Sequence, residues 1–333
     1  MKKLNANVRT DLAIECREML HTEEAGAEIE GVKVTIALNS NRQIKVTTVE
    51  VLNEHGAEQM GKPIGKYVTI ESEDMKINAV DSHAEIIRIM AGEINSLHAL
   101  DRHDVVLVVG LGNWNVTPDA LGPITVSQML VTRHITNTDN VPQEITEAVR
   151  PVCAITPGVM GLTGIETVEI VKGVVEHVKP SLVIAVDALA ARRTNRINST
   201  IQMSNTGINP GAGLGNNRGS LNEEVLGVPV IGIGVPTVVD ASTLVNDTME
   251  LMLDSMIKSS ETGSDFYRML KDLESDDRYR LITEILDPYA ENMFVTPKEV
   301  DAIIERLANI IGNSINIAVH PGIDITDINR FKN

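Results

Sequence analysis

Three patterns of apolar and polar positions follow one another along this chain. Up to about Glu71, apolar residues alternate with polar ones in short runs such as Ile44–Val51 and Tyr67–Ile70. A period of two predicts strands with one covered face. Next, Ile86, Met90, Ile94 and Leu97 recur at helical spacing, with Asp81 or Ser82 as the predicted cap. Then the period changes to α/β. Unbroken apolar runs near Val105–Val109, Val152–Ile155, Leu182–Val186 and Val228–Gly234 read as buried parallel strands, with helical segments between most of them. Thr163 with Glu166 predicts a capping box that opens a helix to about His177. Asp240 or Ser242 opens another, carrying Leu244, Met249 and Met252. Thr296, Pro297 and Glu299 predict a further start, continued by Val300, Ile303, Ile304, Leu307 and Ile311. The stretch 258–277 is polar and charged, the best candidate for an excursion. The sum is one α/β domain: an open, mostly parallel sheet with helices on both faces and N- and C-terminal additions.

Composition narrows the partners. The chain has 333 residues, 43% of them hydrophobic and only 2% aromatic, so Val, Ile, Leu, Ala and Met must build the core. The net charge of −17 argues against direct binding to nucleic acid. Two cysteines, Cys16 and Cys153, make no disulfide framework. No apolar leader follows Lys2 and Lys3, and no run of about 18 apolar residues occurs. A cytoplasmic protein that does not meet a membrane is expected.

Chemistry concentrates where apolar runs end. The first run leads into the glycine turn Gly110-Leu111-Gly112-Asn113-Trp114-Asn115-Val116-Thr117-Pro118-Asp119, and the third leads into Asp187-Ala188-Leu189-Ala190. Each places one aspartate, Asp119 or Asp187, at the carboxyl end of the sheet, where open α/β sheets build their sites. Two carboxylates at one site divide their roles: one keeps its proton while the other activates water. From these residues alone, capping a following helix explains such aspartates equally well. Asp240 also follows a strand; helix capping or a third acidic place in the site are its two readings. The glycine turn lacks the third glycine of a dinucleotide fingerprint, since position 115 is Asn. The glycine-rich stretch 207–219 is a shaped loop, an anion nest or the wall of a peptide groove. A non-catalytic module that holds a peptide or nucleotide is therefore the alternative to an enzyme. Cys153 lies in an apolar strand, where a thiol is inert.

Four motifs, taken in order, resemble the spore germination protease family: residues 110–123, 157–167, 187–192 and 232–240. The resemblance spans about Val8 to His320. It implies an endopeptidase that starts the degradation of small acid-soluble spore proteins, in the cytoplasm of the forespore or spore core, as a homotetramer and without a cofactor. It puts Asp119 and Asp187 in the family's proposed aspartic dyad. Gly112, Asn113, Arg192 and Arg193 become candidates for substrate contacts. The family cuts sequences of the type Thr-Glu-Phe/Ile-Ala-Ser-Glu after the first Glu. Thr10-Asp11-Leu12-Ala13-Ile14-Glu15 imitates that pattern. This implies a zymogen cut between Asp11 and Leu12, with residues 1–11 as propeptide and 12–333 as one protease domain. The glycine turn also resembles hydrogenase maturation proteases, which hold a metal with an acidic residue, an Asp and a His. Here no histidine lies in the turn 234–240.

Overall fold

The computed structural model describes residues 11–23, 29–39, 41, 43–136, 138, 141–209, 219–259 and 293–327. Among these residues, nine strands form one sheet. Its antiparallel half begins with β1 (Val32–Leu38), β2 (Lys45–Val51) and β3 (Gly65–Glu71). Its parallel half contains β4 (Val106–Gly110), β5 (Val152–Ile155), β6 (Leu182–Ala191) and β8 (Val230–Asp240). β7 (Thr200–Ser204) joins the halves, antiparallel to both β3 and β8. The short β9 (Phe294–Val295) pairs with the end of β8. The order is β1-β2-β3-β7-β8-β6-β4-β5. The N-terminal strands thus extend the same sheet.

Among the described residues the helices in chain order are α1 (Ala13–Glu23), α2 (Glu54–Met60), α3 (Val80–Leu97), α4 (Leu121–Ser127), α5 (Arg133–Thr136), α6 (Gln143–Ala148), α7 (Met160–Thr163), α8 (Thr167–Val178), α9 (Glu223–Leu226), α10 (Ala241–Ser259) and a C-terminal helix, Val300–Val319. They cover both faces. Val106, Val108, Ile184 and Val186 point to one side, into a core closed by α3 and the C-terminal helix. Leu107, Val109, Val183 and Ala185 point to the other, against Val171 and Val175 of α8. This period-two division is why the runs carry no polar alternation: each strand is buried twice.

Several boundaries differ from expectation. α3 begins at Val80, with Ala79 making no side-chain cap; Ser82 instead donates to Asp74 at 2.5 Å. The capping box lies between Glu166 and Glu169 and opens α8, while Thr163 ends α7. Gly164, at a φ of +70°, breaks the helix between them. The C-terminal helix starts after Glu299, because the Thr296 hydroxyl is engaged with the carbonyl of Thr237. Met249 and Met252 of α10 are exposed. Cys16, expected in a polar stretch, is buried beside Val49 and Met60. Residues 260–277 of the expected excursion and 210–218 of the glycine-rich stretch lie outside the described residues.

Candidate active site

β4 stops at Gly110, opposite Val186, whereas β6 and β8 continue side by side to Ala191 and Val239. The step leaves a notch at the carboxyl ends of the parallel strands, the usual place for a site in such sheets. Asp187 is the first residue of β6 beyond the step, and it pairs with Gly234 on β8. The strand expected to end at Val186 therefore runs five residues further, since Ala188 to Ala191 still pair with β8. Asp187 interrupts an apolar strand instead of following one. It is 4% exposed, and its Oδ1 accepts the N–H of Ala188 at 2.9 Å.

Asp119 comes from the loop that leaves β4. A 3-10 turn, Thr117–Asp119, ends on it. The loop folds back on itself: Asn113 N–H donates to the Asp119 carbonyl at 3.1 Å, and Asp119 N–H to that of Val116 at 2.8 Å. Gly112 makes this possible. Its φ is +111°, and a Cβ there would stand 1.9 Å from the Asp119 carbonyl oxygen. Gly122 similarly lets α4 approach, since its Cβ would lie 2.3 Å from the Leu111 carbonyl. The glycines of this turn serve close backbone approach.

Asp119 and Asp187 line one cavity of about 280 Å³, walled by Leu111, Val116, Leu189, Val238 and Phe294, with Thr167, Thr237 and Thr296 as further polar groups. Gly112 lines it too; Asn113 does not, and its Oδ1 accepts the Asn115 N–H at 3.0 Å. Asp240 also stands outside that lining and caps α10, accepting from Thr243 N–H at 3.3 Å. Cys153 is half-buried in β5, and burial pushes its thiol pKa up. Among the described residues, no three of His, Cys, Asp or Glu are grouped to hold a metal.

A segment of the chain itself docks beside this cavity. Leu12 and Ile14 are buried against Leu189, a residue that lines the cavity with the aspartates. The β6–β8 register slips between Leu189 and Ala190, where β8 carries one extra residue, Thr237. Ala190 N–H donates to Asp11 Oδ2 at 3.1 Å, and Asp11 N–H to the Ala190 carbonyl at 3.5 Å. Lys62 Nζ and Gln202 Nε2 both donate to the Asp11 carbonyl. Four residues on, Glu15 is 1% exposed and accepts the main-chain N–H groups of Arg192 at 2.9 Å and Arg193 at 3.0 Å. The two arginines expected to hold an acidic side chain thus hold Glu15 through their backbone, and the Arg193 guanidinium also lies 3.5 Å from Glu18. The buried guanidinium is that of Arg196, which pairs with Glu18 at 2.6 Å, Glu71 at 3.2 Å and Glu15 at 3.5 Å. Burial by itself would raise the Glu18 pKa, but the hydrogen bond and charge of Arg196 prevail and lower it. Nothing in the sequence separates Arg196 from its two neighbours. It is distinguished by the 3-10 turn Thr194–Arg196 that follows β6 and turns it inward.

Two carboxylates line one cavity at the strand ends of an α/β sheet, with a segment of the chain seated alongside, and the family whose sequence model matches the chain is one of peptidases. More particularly, the chain belongs to the germination protease family. The sequence model of that family matches residues 13–271 and 255–332. The chain is 49% identical to the germination protease of Clostridium tetani, over 98% of this chain and all of that protein. It is 50% identical to that of Clostridium perfringens strain SM101, over 98% of this chain and 99% of the relative. The germination protease of Bacillus thuringiensis is 41% identical, over 96% and 95%. No described helix is long and apolar enough to cross a membrane.

Proposed function

We propose that this protein is an aspartic-type endopeptidase that opens the degradation of small acid-soluble spore proteins, and that it is made as a zymogen which removes residues 1–11 itself. The observation that carries the reading is the shared cavity of Asp119 and Asp187. Two carboxyl groups at one site do not both ionise cheaply, so one holds a proton. The ionised carboxylate takes a proton from water, and the water oxygen attacks the carbonyl carbon. The carbonyl π pair moves to its oxygen. As the C–N bond breaks and the carbonyl re-forms, the protonated carboxyl gives its proton to the leaving nitrogen. The pair ends with one proton, on the other member. The reading requires no cofactor.

The docked segment supports the zymogen part. Asp11 and Leu12 sit beside the cavity, and the Glu15 carboxylate is gripped as a substrate's would be. The homotetramer and the location in the spore core rest on the family resemblance; the exposed Ile36 and Leu38 on edge strand β1 offer a surface for self-association. The test is cleavage of a purified small acid-soluble spore protein by the wild-type chain and by Asp119→Asn and Asp187→Asn. Each variant should lose at least about 10²-fold in kcat/KM while keeping its circular dichroism and melting temperature. Near-normal turnover by either folded variant would contradict the dyad.

A further inference from the structure

We infer that Lys62 and Gln202 form an oxyanion hole for the peptide bond between Asp11 and Leu12. This rests on the reading of that bond as the chain's own cleavage site, and it adds two catalytic residues to the reaction. The carbonyl oxygen of Asp11 accepts from Lys62 Nζ at 2.9 Å and from Gln202 Nε2 at 3.2 Å. A carbonyl oxygen has two acceptor positions, and here an ammonium and an amide take both. When water attacks the Asp11 carbonyl carbon, the π pair becomes a negative charge on that same oxygen. Donors already in place need no reorganisation to meet it.

The register of the sheet ties these donors to the aspartate cavity. Gln202 on β7 pairs with Gly234 on β8, and Gly234 pairs with Asp187 on β6. The three residues form one rung, and cross-strand partners on a rung point to the same face. Strand spacing sets Asp187 and Gln202 about 10 Å apart along that rung. The residue between them is a glycine, and a Cβ there would stand 2.3 Å from Leu189 Cδ1. The missing side chain lets Leu189 lie over the rung, where it packs against Leu12. A candidate base and a candidate oxyanion donor thus flank a seat for the residue after the cut. Gln202 fixes the segment on both sides of that residue, since its Oε1 accepts the Ala13 N–H at 2.6 Å. Lys62 is delivered by the end of α2, where Gly61 turns left-handed at a φ of +59° and Lys62 N–H returns to the Ala57 carbonyl.

Donors that merely fasten the segment would affect binding; oxyanion donors affect turnover. The experiment follows the mass of the full chain during self-processing. It also measures kcat and KM of the processed chain on a synthetic peptide of residues 6–20. Gln202→Glu is isosteric and keeps the acceptor for Ala13, but sets a negative charge against the developing one. Lys62→Met removes the ammonium. Each should lower kcat by about 10²-fold or more with KM changed by less than about threefold, and Lys62→Arg should recover part of the loss. Where Lys62→Met fails to fold, Gln202→Glu decides. Unchanged kcat with a raised KM, or wild-type kinetics, overturns the inference. A wild-type chain that cleaves spore proteins but is not cut between Asp11 and Leu12 overturns it too, leaving the dyad standing. A wild-type chain that cleaves nothing overturns the peptidase mechanism itself.

Discussion

A methyl group on Gly112 would meet the Asp119 carbonyl oxygen at 1.9 Å, and the backbone there has a φ of +111° that L residues rarely adopt. Gly112→Ala therefore has to push the Asp119 loop outward. A displacement of about 1 Å in a reacting group costs about 10²-fold in rate, so kcat/KM should fall by that order. The same variant should stay folded, because the loop is at the rim of the core; a rate within about threefold of wild type would show that Asp119 tolerates displacement. Asp187 draws attention in the sequence because it breaks an apolar run, and Asp119 because it ends the glycine turn that follows one. Lys62, Gln202 and Arg196 were not. Their contacts with residues 11–18 span long stretches of chain, and no local period marks them. They become neighbours only because β7 inserts between β3 and β8.

Among the elements, α1 and the C-terminal helix carry the acid sensitivity. α1 is held by Arg196, which faces Glu15, Glu18 and Glu71; Arg193 and Lys45 also act on Glu18. The folded pKa of Glu18 is depressed, so its contribution is full above its unfolded pKa and is lost as pH falls through the lower, folded value. Amide protection of α1 should accordingly persist at mildly acid pH and fall only below the usual carboxylate range. Glu18→Gln should show weakened protection already at neutral pH, and equal protection in both chains there would remove Glu18 from the latch. At the other end of the sequence, His320 is 1% exposed. Its Nδ1 accepts the Arg150 N–H at 3.2 Å, while Nε2 faces the Leu130 carbonyl at 3.0 Å. Burial lowers its pKa to about 4, and nearby Arg150 adds to the effect. The unfolded chain then binds the extra proton first, so stability rises with pH between about 4 and about 6.5. The contribution of this one group is about 3 kcal/mol across that window. Unfolding free energies from denaturant titrations at the two ends of the window should differ by that amount more in the wild type than in His320→Gln. A parallel pH dependence in the two chains would contradict it. The apolar spacing of α3 and the C-terminal helix was readable, whereas their exact starts were not, because neither is set by a side-chain cap.

At the scale of the whole molecule, one sheet joins what reads as two patterns in the sequence. The alternating N-terminal strands and the unbroken later ones differ because the former are covered less completely, as β1 shows at the edge. The pattern predicts both kinds of strand but is silent on their order, since nothing local specifies that β7 reverses direction to bridge them. That bridge has a consequence for function: it brings residues 11–15 onto the end of β6, beside the notch that holds Asp119 and Asp187. On the proposed function, this notch is a proteolytic centre whose first substrate is the chain's own N-terminal segment. The most direct test is the intact mass of the purified full-length chain, followed over time, for the wild type beside Asp187→Asn. The wild type should yield a product that begins at Leu12, and the Asp187→Asn chain should keep its full mass. The same product arising at the same rate from the folded Asp187→Asn chain would contradict it.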